Sequence, residues 1–128
     1  MPLNFQWQNT KAGWTGAGGV TLTEGAEALT MTVTGASNVA EMQSPVGLNL
    51  NAATFGSATV TLKNPTSVSG GFQLRWYDAS NSLMGSIQIP VGTGMNEFET
   101  YALDLSDSDD WSGSIDKLRL RGPFALSL

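Results

Sequence analysis

The sequence predicts an all-β chain folded as a two-sheet antiparallel β-sandwich. Three observations predict it. Apolar residues recur at every second position in one run after another, the period of a strand with one buried face. Gly, Pro, Asn, Asp and Ser separate those runs at short intervals, as turns require. Charged residues make up only 13% of the chain, so Ser, Thr, Asn, Gln and Gly must supply the polar surface. That composition favours strands and turns over helical bundles rich in Glu and Lys.

The elements follow in order. Phe5 and Trp7 share one face of a short first strand. Residues 11–19 are Gly-rich, show no alternation and read as a loop carrying Trp14. Val20 and Leu22 alternate with Thr21 and Thr23. Leu29, Met31 and Val33 alternate with threonines, the clearest strand pattern in the sequence. The stretch from Thr23 to Leu29 has some helical composition, but Gly25 and its brevity make it a turn. Residues 35–38 turn the chain into a short strand from Val39 to Met42. Ala58, Val60 and Leu62 alternate with Thr59, Thr61 and Lys63, and Asn64-Pro65 stops that run. Phe72, Leu74 and Trp76 alternate with Gln73, Arg75 and Tyr77. Turn chemistry at 78–82 joins 71–77 and 83–89 as a hairpin, with Ile87 and Ile89 inward and Pro90 at its end. Phe98 to Leu105 and Ile115 to Arg121 read as the final pair.

Eight or nine strands in 128 residues suit one domain with a core of its own. Residues 1–19 read as an N-terminal arm and first strand of that domain, and 20–128 as the sandwich proper. There is no internal repeat, low-complexity tail or linker. The start, Met-Pro-Leu-Asn-Phe-Gln-Trp, lacks the basic and apolar regions of an export signal. No apolar run approaches the roughly 20 residues that span a bilayer. The expectation is synthesis for the cytoplasm or for an assembly built there, unless the chain is an excised domain of a secreted protein.

The net charge of -5 at pH 7 argues against nucleic acid and against anionic membranes as partners. The absence of cysteine excludes disulfides and thiolate metal sites. The absence of histidine removes the commonest general base near neutral pH, and Ser-His-Asp triads with it. Paired carboxylates, as in glycosidases, are left. Here, however, nearly all acids gather in one hydrated Ser/Asp turn, and no Glu stands among aromatics. Residues 16–19, Gly-Ala-Gly-Gly, lead into a Thr-rich strand rather than a helix and offer no phosphate cradle. The chain reads as non-catalytic.

Several side chains are candidates for contact with a partner. Trp7 and Trp76 fall on inward faces and belong to the core. Trp14 has no strand phase to bury it, so it is expected to be exposed or at an interface, where an indole offers an apolar platform to a sugar. Gln73, Arg75 and Tyr77 form the outward row of one strand. Such a trio suits a glycan groove or a protein contact, or is simply a solvated face. Lys117, Arg119 and Arg121 are half of the six cations and point outward from one strand. Either they pair across strands with Glu97, Glu99 and Asp104, or they form a basic stripe for an acidic patch on a second copy or another partner.

Seven of the eleven acidic residues fall between Glu97 and Asp116. A calcium ion there would draw on Asp104, Asp107, Asp109 and Asp110. The EF-hand order fails, because Trp111, Ser112 and Leu118 stand where an Asx ligand, a Gly and a Glu are needed. A hydrated turn with Asp side chains capping backbone N–H groups is the preferred reading, and no cofactor is assigned.

The run Trp111-x-Gly113-x-Ile115-x-x-Leu118-Arg119 resembles the C-terminal hairpin of jelly-roll carbohydrate-binding modules, where it leads into the last core strand. The resemblance covers the final third of the chain well and the middle loosely. It implies a jelly-roll sandwich, glycan binding without catalysis, and a Trp111 packed under its loop as a plug. It also implies a structural calcium drawing on residues near the N-terminus, for which Asn4, Asn9, Glu24 and Glu27 are the weak candidates here.

Two function classes follow. One is a carbohydrate-binding module that grips a polysaccharide through exposed aromatics. The other, preferred by a small margin, is a structural protein of a virion surface: a bacteriophage capsid decoration, head-fibre or tail protein on the same scaffold. A start at Met1 without an export signal, a low-charge Thr/Ser/Gly-rich composition and a pinnable arm at 1–19 favour it. Its partners are protein copies in an assembly, with glycan as a further one. The contact residues in either case are Trp14, Gln73, Arg75, Tyr77, Trp111, Lys117, Arg119 and Arg121.

Overall fold

A computed structural model describes the backbone of residues 2–3, 14–17, 20–24, 29–33, 39–62 and 72–124, and side chains within 14–16, 41–62 and 72–122. The described chain is all-β. Its strands are β1 (Pro2–Leu3), β2 (Thr15–Ala17), β3 (Val20–Glu24), β4 (Leu29–Val33), β5 (Val39–Gln43) and β6 (Leu50–Asn51). Then come β7 (Ser57–Leu62), β8 (Gln73–Tyr77), β9 (Leu83–Gln88), β10 (Glu99–Asp104), β11 (Ser114–Ile115) and β12 (Lys117–Phe124). Among the described residues there is no α-helix, only a 3-10 turn at Leu105–Asp107, and no helix is long and apolar enough to cross a membrane. The first-strand pair Phe5 and Trp7 and the turns at 35–38 and 64–65 lie outside the described residues.

A five-stranded sheet runs in the order β2-β5-β12-β8-β9, and a three-stranded sheet in the order β1-β7-β10. β3 pairs with β4 and β6 with β11. Every pairing is antiparallel except that of β1 with β7. The predicted hairpin at 71–89 forms as β8 and β9, with a register shift opposite Trp76/Tyr77. Leu74/Ile87 and Trp76/Gly85 stand opposite each other in regular register, and the shift then passes over Met84 so that Tyr77 faces Leu83.

Alternation decides which side chains meet. Met42, Leu74, Trp76, Leu118 and Leu120 from the five-stranded sheet join Ala58, Val60 and Leu103 from the three-stranded sheet in one buried cluster. Each such large apolar side chain contributes about 1.5–3 kcal/mol through loss of hydrated area. Trp76 and Trp111 meet there edge to face, with centroids 5.2 Å apart at 86°. Trp76 Nε1 donates to the Asp110 carbonyl at 3.0 Å, and Trp111 Nε1 to the Phe55 carbonyl at 2.6 Å. A Cβ at Gly85 would stand 2.7 Å from both the Trp76 ring and Asp110 Cβ, so only glycine lets the 105–116 segment seat against β9.

Three expectations are corrected. The strands at 98–105 and 115–121 do not pair: β10 lies beside β7, and β12 lies between β5 and β8. The segment between them buries Leu105, Trp111 and Ile115, so it is an anchored crossover rather than a hairpin loop. Nor is 115–121 one strand. Ile115 pairs with Leu50 on β6, whereas Lys117 pairs with Tyr77 on β8. At the break, Asp116 N–H donates to the Tyr77 carbonyl and the Asp116 carbonyl accepts from Leu48 N–H. The phase shift explains why Ile115 and Leu118, three apart, both point inward. The stretch 11–19 is likewise not all loop, because β2 adds to the edge of the five-stranded sheet beside β5.

Candidate functional site

The outward face of the five-stranded sheet gathers the cations. β12 presents Lys117, Arg119 and Arg121, and β8 presents Gln73, Arg75 and Tyr77, with Arg119 directly opposite Arg75 and Arg121 opposite Gln73. On the other flank of β12, Gln43 stands opposite Arg119 and Glu41 opposite Arg121. Direct and diagonal cross-strand neighbours on one face are within reach of side chains this long. All four described Lys and Arg residues therefore lie on a single sheet face; the other two, Lys11 and Lys63, are outside the described residues.

Glu41 is the hub. Its side chain is only 6% exposed. Arg119 Nη1 donates to Oε1 at 2.6 Å and Arg121 Nε donates to Oε2 at 2.7 Å. Arg119 also donates through Nε to Gln43 Oε1 at 3.0 Å. Arg75 is served less well: among the described residues its ion-pair partner is Glu41 Oε2, 4.0 Å from Nη1, and its buried Nε has no hydrogen-bond partner. One carboxylate thus answers three guanidinium groups, each with 16–24% of its side chain still reachable by solvent.

Tyr77 joins the row. Its ring is buried, with Lys117 Nζ and Arg119 Cζ each 4.9 Å from the centroid, the geometry of cation–π contact. Lys117 is itself only 5% exposed and donates to Asn81 Oδ1. Asn81 holds a left-handed conformation at φ 65° in the 78–82 turn, where Asp78 Oδ1 accepts from the backbone N–H groups of Ser80 and Ser82. Burial pushes the Lys117 ammonium below its ordinary value and Arg119 adds to the effect, while Asp116 and Glu41 act against it.

The outward row 73-75-77 and the cations at 117, 119 and 121 are therefore brought together on one face, as two strands side by side. The expected pairing partners are not there. Glu97, Glu99 and Asp104 belong to β10 or its approach, and β10 pairs in the other sheet; Glu99 instead accepts from the Tyr101 hydroxyl at 3.1 Å, and Asp104 from the Ser106 hydroxyl at 2.6 Å. Trp14 is also corrected: at 2% exposure it is core, because β2 carries it in at the sheet edge. Trp111 is buried against Trp76 rather than offered to a partner. Asp107, Asp109 and Asp110 are exposed on the crossover, and among the described residues no three His, Cys, Asp or Glu converge on a metal position.

Sequence reasoning missed Glu41 and Gln43. The signal for Glu41 was its isolation: it is the only acidic residue between Glu27 and Asp78. A lone carboxylate in a strand otherwise free of acids calls for a cationic partner, but the sequence does not say which strand lies alongside.

Compared with protein-family models, with curated proteins and with solved structures, the chain matches none.

Proposed function

We propose that this chain is a non-catalytic binding and assembly protein. It is a two-sheet sandwich of jelly-roll type, it serves as a surface component of a virion (capsid decoration, head-fibre or tail), and it docks through the outer face of its five-stranded sheet onto an acidic protein surface. One observation carries this reading: a chain with net charge -5 collects all its described cations on that face, against one carboxylate. Arginine forks that are half buried and held by neighbours match carboxylates with little further loss of side-chain freedom. Such a face selects and orients an acidic partner.

The sandwich is supported by the single core cluster that both sheets supply. The glycan reading loses the aromatic platforms it was built on, since Trp14, Tyr77 and Trp111 are all buried. What favours it is an open cleft of about 380 Å³ where Asp78, Asn81, Asp116 and Lys117 could meet hydroxyl groups beside an apolar lining that includes Val46, Gly47 and Ala79. The two readings separate on immobilised polyglutamate and in neutral polysaccharide gels. Docking on acidic surfaces predicts retention on polyglutamate that salt abolishes and that Arg119→Gln/Arg121→Gln weakens at least about tenfold. Retardation by a neutral polysaccharide with no hold on polyglutamate overturns it.

A further inference from the structure

Arg75 marks the face as incomplete. A guanidinium N–H buried without an acceptor costs free energy, and Arg75 Nε is in that position while, among the described residues, the one carboxylate within 4.0 Å of its guanidinium is already taken by Arg119 and Arg121. Arg75, Arg119 and Arg121 still keep 16–24% of their side chains open to solvent, and an incoming carboxylate would meet those open guanidinium edges at once. The chain carries such carboxylates in Asp107, Asp109 and Asp110, all exposed on the crossover.

That crossover cannot reach its own arginines. Trp76 follows Arg75 in β8 and so points to the opposite side of the sheet. Its Nε1 holds the Asp110 carbonyl, and Gly85 lies against Asp110 Cβ. The acids are therefore fixed on the core side of β8 and β9, and the arginines on the outer side. Two complementary surfaces facing different ways on one rigid body are the requirement for heterologous association.

We infer that the partner of this face is a second copy of the chain: the acidic crossover of one molecule docks on Arg75, Arg119 and Arg121 of the next, head to tail. The inference rests on the reading of the face as an acidic-surface dock and names its occupant. Each added copy leaves one face and one crossover free, so the contact grows into a ring or a filament rather than stopping at a two-fold dimer.

The test is a mixing experiment followed by light scattering at low salt. Wild-type mass rises with concentration and falls back as salt is added. Arg75→Gln weakens association at least about tenfold, and so does the triple change Asp107→Asn, Asp109→Asn, Asp110→Asn. Each variant alone is monomeric. An equimolar mixture forms one-to-one dimers and nothing larger, because only one intact face meets one intact crossover. A mixture that stays monomeric, or variants that associate as the wild type does, overturns the inference. Should Arg75→Gln fail to fold, the triple variant decides, since its three side chains are exposed. A wild type that stays monomeric yet binds polyglutamate overturns the head-to-tail contact and leaves the acidic-surface dock standing. One that does neither removes both.

Discussion

On the outer face of the three-stranded sheet, Thr59, Thr61 and Thr100 stand exposed, and Thr61 and Thr100 share a hydroxyl hydrogen bond of 2.8 Å. On the outer face of the five-stranded sheet, the same alternating positions hold Arg75, Lys117, Arg119, Arg121 and a nearly buried Glu41. Short hydroxyl side chains fit a pleated surface, lose little freedom and leave water in place. Long charged ones must be ordered and partly stripped of water, which costs free energy that ion pairing recovers only in part. Folding is served by the first arrangement alone. The second spends side-chain order on a surface, which fits a face that has to orient something outside the chain.

The largest expected effect comes from removing the hub of the charged face. Glu41→Ala leaves Arg119 and Arg121 without their carboxylate and brings three guanidinium groups together unshielded. The expected loss is about 3–5 kcal/mol of unfolding free energy, read from denaturant titration, with added salt restoring part of it. A loss no bigger than that of a surface threonine change would erase the distinction between the two faces.

The legibility of these regions differed for a physical reason. Period two fixes which side chains share a face, so the outward rows at 73-75-77 and 117-119-121 and the inward Trp76 were all readable. Period two does not say which strand lies next to which. Hence β12 was paired with β10 instead of with β5 and β8, and Glu41 went unnoticed although it decides the electrostatics. Trp14 failed for the opposite reason: β2 is three residues long, too short to show a period at all. The break at Asp116 left a trace, the I-x-x-L spacing, that cannot be decoded without knowing that the chain changes sheets there.

A smaller effect separates the two faces by pH. In the folded chain Lys117 is held below its ordinary value of 10.5, chiefly by burial. Between the folded and unfolded values the unfolded chain binds more protons, so the stability this group contributes rises with pH and is complete only above 10.5. Lys117→Met removes that rise. Denaturant unfolding at about pH 7 and about pH 10 should show wild type gaining on the variant as pH increases. A gain in the other direction would mean that Asp116 and Glu41 outweigh burial at this ammonium.

The smallest effect belongs to the neutral face. Thr61 and Thr100 lie opposite each other on β7 and β10, and their hydroxyls bond only to one another among the contacts seen there. Both side chains are exposed, so truncation leaves no buried donor behind, and water replaces the lost partner. Thr100→Ala is expected to change unfolding free energy by no more than about 0.5 kcal/mol. Because the pair is remote in sheet order from Glu41, its effect should add to that of Glu41→Ala in the double variant within about 0.5 kcal/mol. A clear excess over additivity would show that the outer faces communicate through the core, and that the charged network tunes the packing of both sheets rather than one surface.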